Sequence, residues 1–227
     1  MRLFWLAGAL CLAVACPVQA GGFSVMPTRV QLGGDRGVQS VVLTNTSAQT
    51  VTVESQVLVW PDGAAEQQSS DVIISPAVAT LPPGQRVRLR IGLLRPGKGL
   101  KEHAYRIYFT ELPAPAALQN AGIGVRLRVG IPVFVAPLQA EPQALRWTWA
   151  ADSPALEVHN PGNVHARLQA PTVDDVGRPV VLDSASLYVL AGTRLRIPLP
   201  PGWQPAVGSR LRWRDGDDER EGTLALP

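Results

Sequence analysis

The chain has 227 residues, with 21 Lys+Arg against 18 Asp+Glu, 21 Gly, 21 Pro and two Cys. That length can bury one or two proper cores and excludes a disulfide-stapled miniprotein. A formal charge of +3 with no long basic run argues against a generic nucleic-acid binder, and the abundance of Gly and Pro argues against a helix bundle.

The chain opens with a single charge, Arg2, and carries no other before Arg29. Leu3 to Ala15 is almost wholly apolar, and Val18-Gln19-Ala20 ends on a small residue. A charged start, an apolar middle and a small-residue end describe a secretory signal, and the run is too short for a comfortable membrane span. The expectation is a signal peptide over residues 1–20, cleaved after Ala20, with no membrane span in the mature chain. Both cysteines, Cys11 and Cys16, leave with it. The mature chain then has no disulfide, no thiolate metal site and no cysteine nucleophile, and it holds together through its core alone.

From there the sequence reads as strands. Short alternating segments recur at Val38–Asn45, Thr50–Trp60, Arg86–Leu93, Ala104–Leu112, Gly124–Val135, Ala155–His159, Val164–Gln169 and Thr193–Leu199. Gly, Pro, Asn and Asp separate them. This rhythm predicts a sandwich or barrel. The Pro-punctuated stretch Ala136–Pro142 suggests a boundary, and a cut after Pro137 gives two parts, each near the roughly 100-residue size of an immunoglobulin-like sandwich. The expected domains are residues 21–137 and 138–227. Gly63–Ser70 and Pro113–Gly122 read as exposed loops.

Motifs for chemistry are few. His103, His159 and His165 form no compact ligand set, so no metal is expected. No serine sits in a Gly-x-Ser-x-Gly setting. Asp174-Asp175 and Asp215–Glu221 lack the ligand alternation and closing Glu of a calcium loop. No phosphate-binding glycine loop precedes a helix. Nothing supports an enzyme, a cofactor or a nucleic-acid partner. Trp60, Trp147, Trp149, Trp203 and Trp213 read as core or domain-interface packing, and Arg88, Arg90, Arg210 and Arg212 as solvated strand faces.

The unusual segment is Gly122–Pro137. Ile123, Val125, Leu127, Val129, Ile131, Val133 and Val135 share one parity, and Arg126 and Arg128 take the other. They therefore point to opposite faces of a strand. Pro132 cannot donate to a ladder, so one edge of the strand is expected to be unpaired there. Such a strand either buries its apolar face in its own domain or is offered to a partner by strand addition.

Ordered motifs along the mature chain resemble the periplasmic chaperones of the chaperone–usher pilus pathway, the PapD-like superfamily. They are Val25–Val30, Leu43-Thr44-Asn45, Leu81-Pro82-Pro83-Gly84-Gln85, Glu102–Arg106 with Glu111-Leu112-Pro113, and Ile131–Pro137. Leu156–Asn163 resembles the family's second-domain motif. The Tyr105-Arg106 and Ile131–Val135 forms resemble the archaic, Csu-like branch. The resemblance implies an all-β fold of two immunoglobulin-like sandwiches set at an angle. It also implies pilin subunits and an outer-membrane usher as partners, a periplasmic location and no catalysis. Subunits are held by donor-strand complementation, here through Ile123, Val125, Leu127 and Val129. The family also anchors the subunit's C-terminal carboxylate on basic residues. Arg29 fits the first anchor. The second position falls on Pro132, which cannot serve, leaving Arg106 and Arg128 as substitutes. The alternative reading is a structural or adhesive immunoglobulin-like protein of the envelope.

Overall fold

The computed structural model describes residues 22–33, 36–60, 67–95, 99–113, 126–142, 144–150, 153–175, 178–183 and 185–225. The expected signal peptide lies outside these residues, as do Ile123 and Val125. The first half runs β1 (Phe23–Met26), β2 (Val30–Leu32), β3 (Val38–Asn45), β4 (Val51–Trp60), β5 (Val72–Ser75), β6 (Val78–Leu81), β7 (Arg86–Leu93), β8 (His103–Leu112) and β9 (Arg128–Val135). The second runs β10 (Arg146–Trp149), β11 (Ala155–His159), β12 (Ala166–Asp175), β13 (Arg178–Val181), β14 (Ser186–Val189), β15 (Arg194–Pro198), β16 (Arg210–Asp215) and β17 (Asp218–Ala225). All regular structure among the described residues is β.

Two sheets form the first sandwich, ordered β1-β3-β7-β5 and β2-β9-β8-β4-β6. Period-two alternation gives each a single apolar face, and the two faces meet. Val41, Leu43, Leu89 and Ile91 from one sheet and Val53, Ile107, Phe109 and Val133 from the other are all 0 % exposed. Each such side chain contributes roughly 1.5–3 kcal/mol when fully buried. The second half has its own core, in which Trp147 and Trp213 pack with ring centroids 5.4 Å apart among Leu156, Val158, Leu168 and Leu211. Its β17 pairs with β16 over Asp218–Thr223, and its end then runs parallel to β10 at Trp147 and Thr148.

The structure shifts the bounds of several expected strands, most of all in β12 and β9. β12 continues past Gln169 to Asp175, although Pro171 interrupts the pattern. A register shift between Gln169 and Thr172, with Ala170 at φ 45°, bulges the strand and accommodates the proline. β9 begins at Arg128 rather than Gly124; Arg126 and Leu127 precede it without strand structure.

The halves share a corner that no repeat in the sequence announces. The Asn45 Nδ2 donates to the Gln49 and Leu81 carbonyls at 2.7 and 2.8 Å, and its Oδ1 accepts from the Ser47 N–H at 2.8 Å. The Asn160 Nδ2 donates to Val164 and Val189 at 2.8 and 2.9 Å, and its Oδ1 accepts from the Gly162 N–H at 3.0 Å. Their backbone N–H groups donate to Gln85 and Thr193, each at 3.0 Å. Both acceptors close a tight turn, Pro82–Gln85 and Leu190–Thr193, with Gly84 at φ 70° and Gly192 at φ 62°. A turn with positive φ at its third residue favours glycine there.

Candidate functional site

Cross-strand register decides what β9 can offer. β9 pairs antiparallel with β8, Tyr105↔Val133 and Ile107↔Ile131. Just before the strand, the Glu111 N–H donates to the Leu127 carbonyl at 2.9 Å. In an antiparallel ladder bonded and non-bonded pairs alternate, so the odd-numbered backbone groups of β9 face β8 and the even-numbered ones face the other edge. Beyond the strand, the Ala136 N–H keeps that parity and donates to Leu32 at 2.9 Å. On that edge β2 pairs only from Val30↔Val133 to Leu32↔Val135. The sequence-based edge is thus half right. β2 covers the C-terminal part of β9. Among the described residues no strand lies along the edge at Arg128, Gly130 and Pro132. Pro132, without an N–H to pair, stands where the cover stops.

The apolar face follows the same division. Ile131, Val133 and Val135 are buried in the first core, and Leu127 and Val129 pack against it only in part. Of the four expected donor residues, the two described here therefore retain exposed apolar surface.

The three expected anchors come from three places. Arg29 is exposed and immediately precedes β2, so the parallel register sets its backbone beside Pro132. Pro132 in turn pairs with Arg106 on β8. Arg29 and Arg106 are therefore level across three strands, separated by Pro132. Arg128 lies further along β9, opposite Thr110.

Aromatic rings hold two of these arginines. The Arg106 guanidinium carbon is 4.2 Å from the centroid of Trp60, and that of Arg128 is 4.1 Å from the centroid of Tyr108. Such contacts are worth about 0.5–1 kcal/mol at exposed sites and more when desolvated. Tyr108 lies across Gly130, its cross-strand partner, where a Cβ would stand 2.9 Å from the ring. Glycine is what allows the ring to lie there. Trp60 is expected from the sequence only as core or domain-interface packing, and Tyr108 carries no site signal there. Gly130 shares the parity of Arg128 in the sequence, but pairing it with Tyr108 requires the register.

At its far end this face meets the second half. Phe134 is 0 % exposed although it points away from its own core. Trp60 and Tyr188 flank it at 6.0 and 5.6 Å, and His165 stacks on it. The His165 Nδ1 lies 2.8 and 2.9 Å from the Glu102 carboxylate oxygens, and the His165 N–H donates to the same carboxylate at 3.0 Å. The Asn163 Nδ2 donates to Leu100 at 2.9 Å, tying the second half to the first, and to Gln139 in the connecting segment at 2.8 Å. On the opposite side of β8, burial in the core and then the nearby Asp71 carboxylate push the Tyr105 hydroxyl up to about 12.

Three comparisons bear on this arrangement. Residues 22–141 match the family model described as pili and flagellar-assembly chaperone, PapD N-terminal domain. The chain is 29 % identical over 165 residues to the uncharacterized fimbrial chaperone YcbF of Escherichia coli K12, covering 67 % of each chain. It is 28 % identical over 170 residues to the probable fimbrial chaperone LpfB of Escherichia coli O157:H7, covering 71 % of each. Its fold resembles the crystal structure of the CsuC–CsuE chaperone–tip adhesion subunit pre-assembly complex of Acinetobacter baumannii. There the TM-score is 0.69 at 22 % identity, with 91 % of this chain and 99 % of that one covered. Both halves are immunoglobulin-like sandwiches. Among the described residues no helix is long and apolar enough to cross a membrane.

Proposed function

This chain belongs to the pili and flagellar-assembly chaperone family, and we propose that it is the periplasmic member that captures pilin subunits by strand addition and passes them to an outer-membrane usher. Residues 1–20 direct export. The domains are residues 21–137, which carry the subunit site, and 138–227. The protein works by binding energy alone, without catalysis.

The observation that carries this reading is the half-covered strand β9. Its N-terminal part has backbone groups directed at an edge that β2 does not reach, and partly exposed Leu127 and Val129 on its apolar face. A subunit strand laid there gains main-chain hydrogen bonds largely independent of sequence, and side-chain pockets give register. Ile123 and Val125 extend the donor series by parity. Arg29 and Arg106 flank Pro132 and receive the subunit's terminal carboxylate, with Arg106 replacing the missing cation of the proline position. The planar guanidinium suits a carboxylate, and each charge-assisted bond contributes roughly 1.5–3 kcal/mol. Arg128 is the outer member of the group. The resemblance of the Tyr105-Arg106 and Ile131–Val135 forms supports the archaic, Csu-like branch.

Co-expression with a pilin subunit that lacks its own completing strand tests the reading. The expected result is a soluble 1:1 complex, lost in Arg29→Ala and strongly weakened in Arg106→Ala while both variants keep the native circular dichroism. Unchanged co-purification of both variants would overturn the anchoring role. Self-assembly of the purified chain without a subunit would overturn the chaperone reading itself.

A further inference from the structure

The outer face of the β1-β3-β7-β5 sheet carries a feature that subunit capture does not use. Arg86, Arg88 and Arg90 are all exposed along β7. Alternate residues of a strand share one face at a spacing of about 6.8 Å, so the three guanidinium groups form one stripe. Their neighbours in register are Thr44, Val42 and Ser40 on β3, and Ser75 on β5 beside Arg90. None is acidic. No Asp or Glu occurs anywhere in β1, β3, β5 or β7.

The second domain supplies an internal comparison. β16 has the same pattern, with Arg210, Arg212 and Arg214 exposed around buried Leu211 and Trp213. There carboxylates stand beside the stripe. Glu221 is opposite Arg212 and Glu219 opposite Arg214 in the β16–β17 register, and the Arg212 Nη2 lies 3.1 Å from the Asp174 carboxylate. At the β15 edge, Arg194 and Arg196 share Glu157 at 3.1 and 3.6 Å. One chain thus builds arginine rows with in-register carboxylates in one domain and without them in the other. Like charges along one strand repel, and solubility alone is served as well by mixed signs.

We infer that the Arg86–Arg88–Arg90 stripe is a docking site for an acidic, extended segment of a protein partner, with carboxylates at alternate positions. The strand β17 is the template: its Glu219 and Glu221, two residues apart, stand opposite two of the three arginines of β16 in register. β7 is paired on both sides, by β3 and β5, so the partner segment lies across the face and is recognised through its side chains rather than by joining the sheet. The flat guanidinium fork grips such carboxylates bidentately. The stripe is on the other sheet from Arg106 and Arg128, so the site stands independently of the subunit reading.

The test uses the purified full chain and a labelled peptide of alternating Glu and Thr, with a Gln-for-Glu peptide as control, read by fluorescence anisotropy at low salt. The Glu peptide binds and the Gln peptide does not. The triple variant Arg86→Ser, Arg88→Ser, Arg90→Ser weakens binding about tenfold, the modest loss that exposed ion pairs give. Raising salt weakens it further, since exposed charges are screened. The triple variant Arg210→Ser, Arg212→Ser, Arg214→Ser binds as the wild type does, and the first triple variant still captures pilin subunits. Failure of the Glu peptide to bind, equal binding by the Gln peptide, or wild-type binding by the β7 variant overturns the site. So does stripe-dependent binding to phosphatidylglycerol vesicles without peptide binding, which would assign the face to a membrane surface.

Discussion

The imidazole of His165 lies on the ring of Phe134, centroids 3.6 Å apart and planes 10° from parallel. One ring belongs to the second half and the other to β9. The same imidazole contacts Glu102, whose side chain is only 2 % exposed. A carboxylate so deeply buried depends on its partners. β9 is therefore fixed from behind by the neighbouring half.

That fixation predicts a coupled unfolding transition. His165→Ala removes the stacked ring and both imidazole contacts to Glu102, leaving only the backbone N–H bond, and is expected to cost about 1–3 kcal/mol. In calorimetry the wild type melts as a single event, while the variant resolves into two domain transitions. A single unshifted transition in the variant would show that the contact does not couple the domains.

The two ends of the donor series should respond differently to charge. Leu127→Asp changes a partly exposed side chain, so it blocks complex formation and leaves the free fold intact. Val133→Asp places a carboxylate at a site 0 % exposed and unfolds the first domain, because an unpaired charge cannot be buried there. Urea titration of both variants, together with subunit co-purification, distinguishes donor surface from core. If Leu127→Asp unfolds the chain as readily as Val133→Asp, that end of the segment belongs to the core.

Gly130 should tolerate no sizeable side chain without loss of function. Gly130→Val drives into the Tyr108 ring, which must swing away and release Arg128. The expected outcome is a folded protein with weakened subunit capture, and Tyr108→Ala should reproduce it. Preserved affinity in both would separate the aromatic contact from the site. How much of this could be read in advance differs by level. Alternation was enough to place β3, β7 and β11 at their observed limits, because period-two burial is a local property of the chain. The arginines were found as residue types. Their arrangement was not, since Arg29 stands beside Pro132 only through a parallel register set by packing. The short strands β1, β2, β5 and β6 have three or four residues, too few for a period to declare itself, and their pairing comes from longer neighbours.

Alkaline stability should report on Tyr105. Its hydroxyl, 5 % exposed as a residue and donating to Asp71 at 3.3 Å, is raised to about 12 from an ordinary 10.0. Above pH 10 the unfolded chain loses this proton while the folded chain keeps it, so the native state holds more protons and stability falls as pH rises towards 12. Urea midpoints measured across that window should decline, and Tyr105→Phe should flatten the decline. An identical slope in the variant would assign the alkaline loss to other groups.

The matched asparagine corners also bear on the protein's dealings with its surroundings. From Gly22 to Pro227 the chain has no sulfhydryl, and the joints that close each sandwich are carboxamides. Such a joint forms as the strands meet. It needs no electron acceptor and passes through no mispaired intermediate, unlike thiol–disulfide exchange. The protein should mature at the same pace in reducing and oxidising media. Beside any protein whose own thiols are still being oxidised, residues 22–227 present no competing thiol and cannot be trapped in a mixed disulfide.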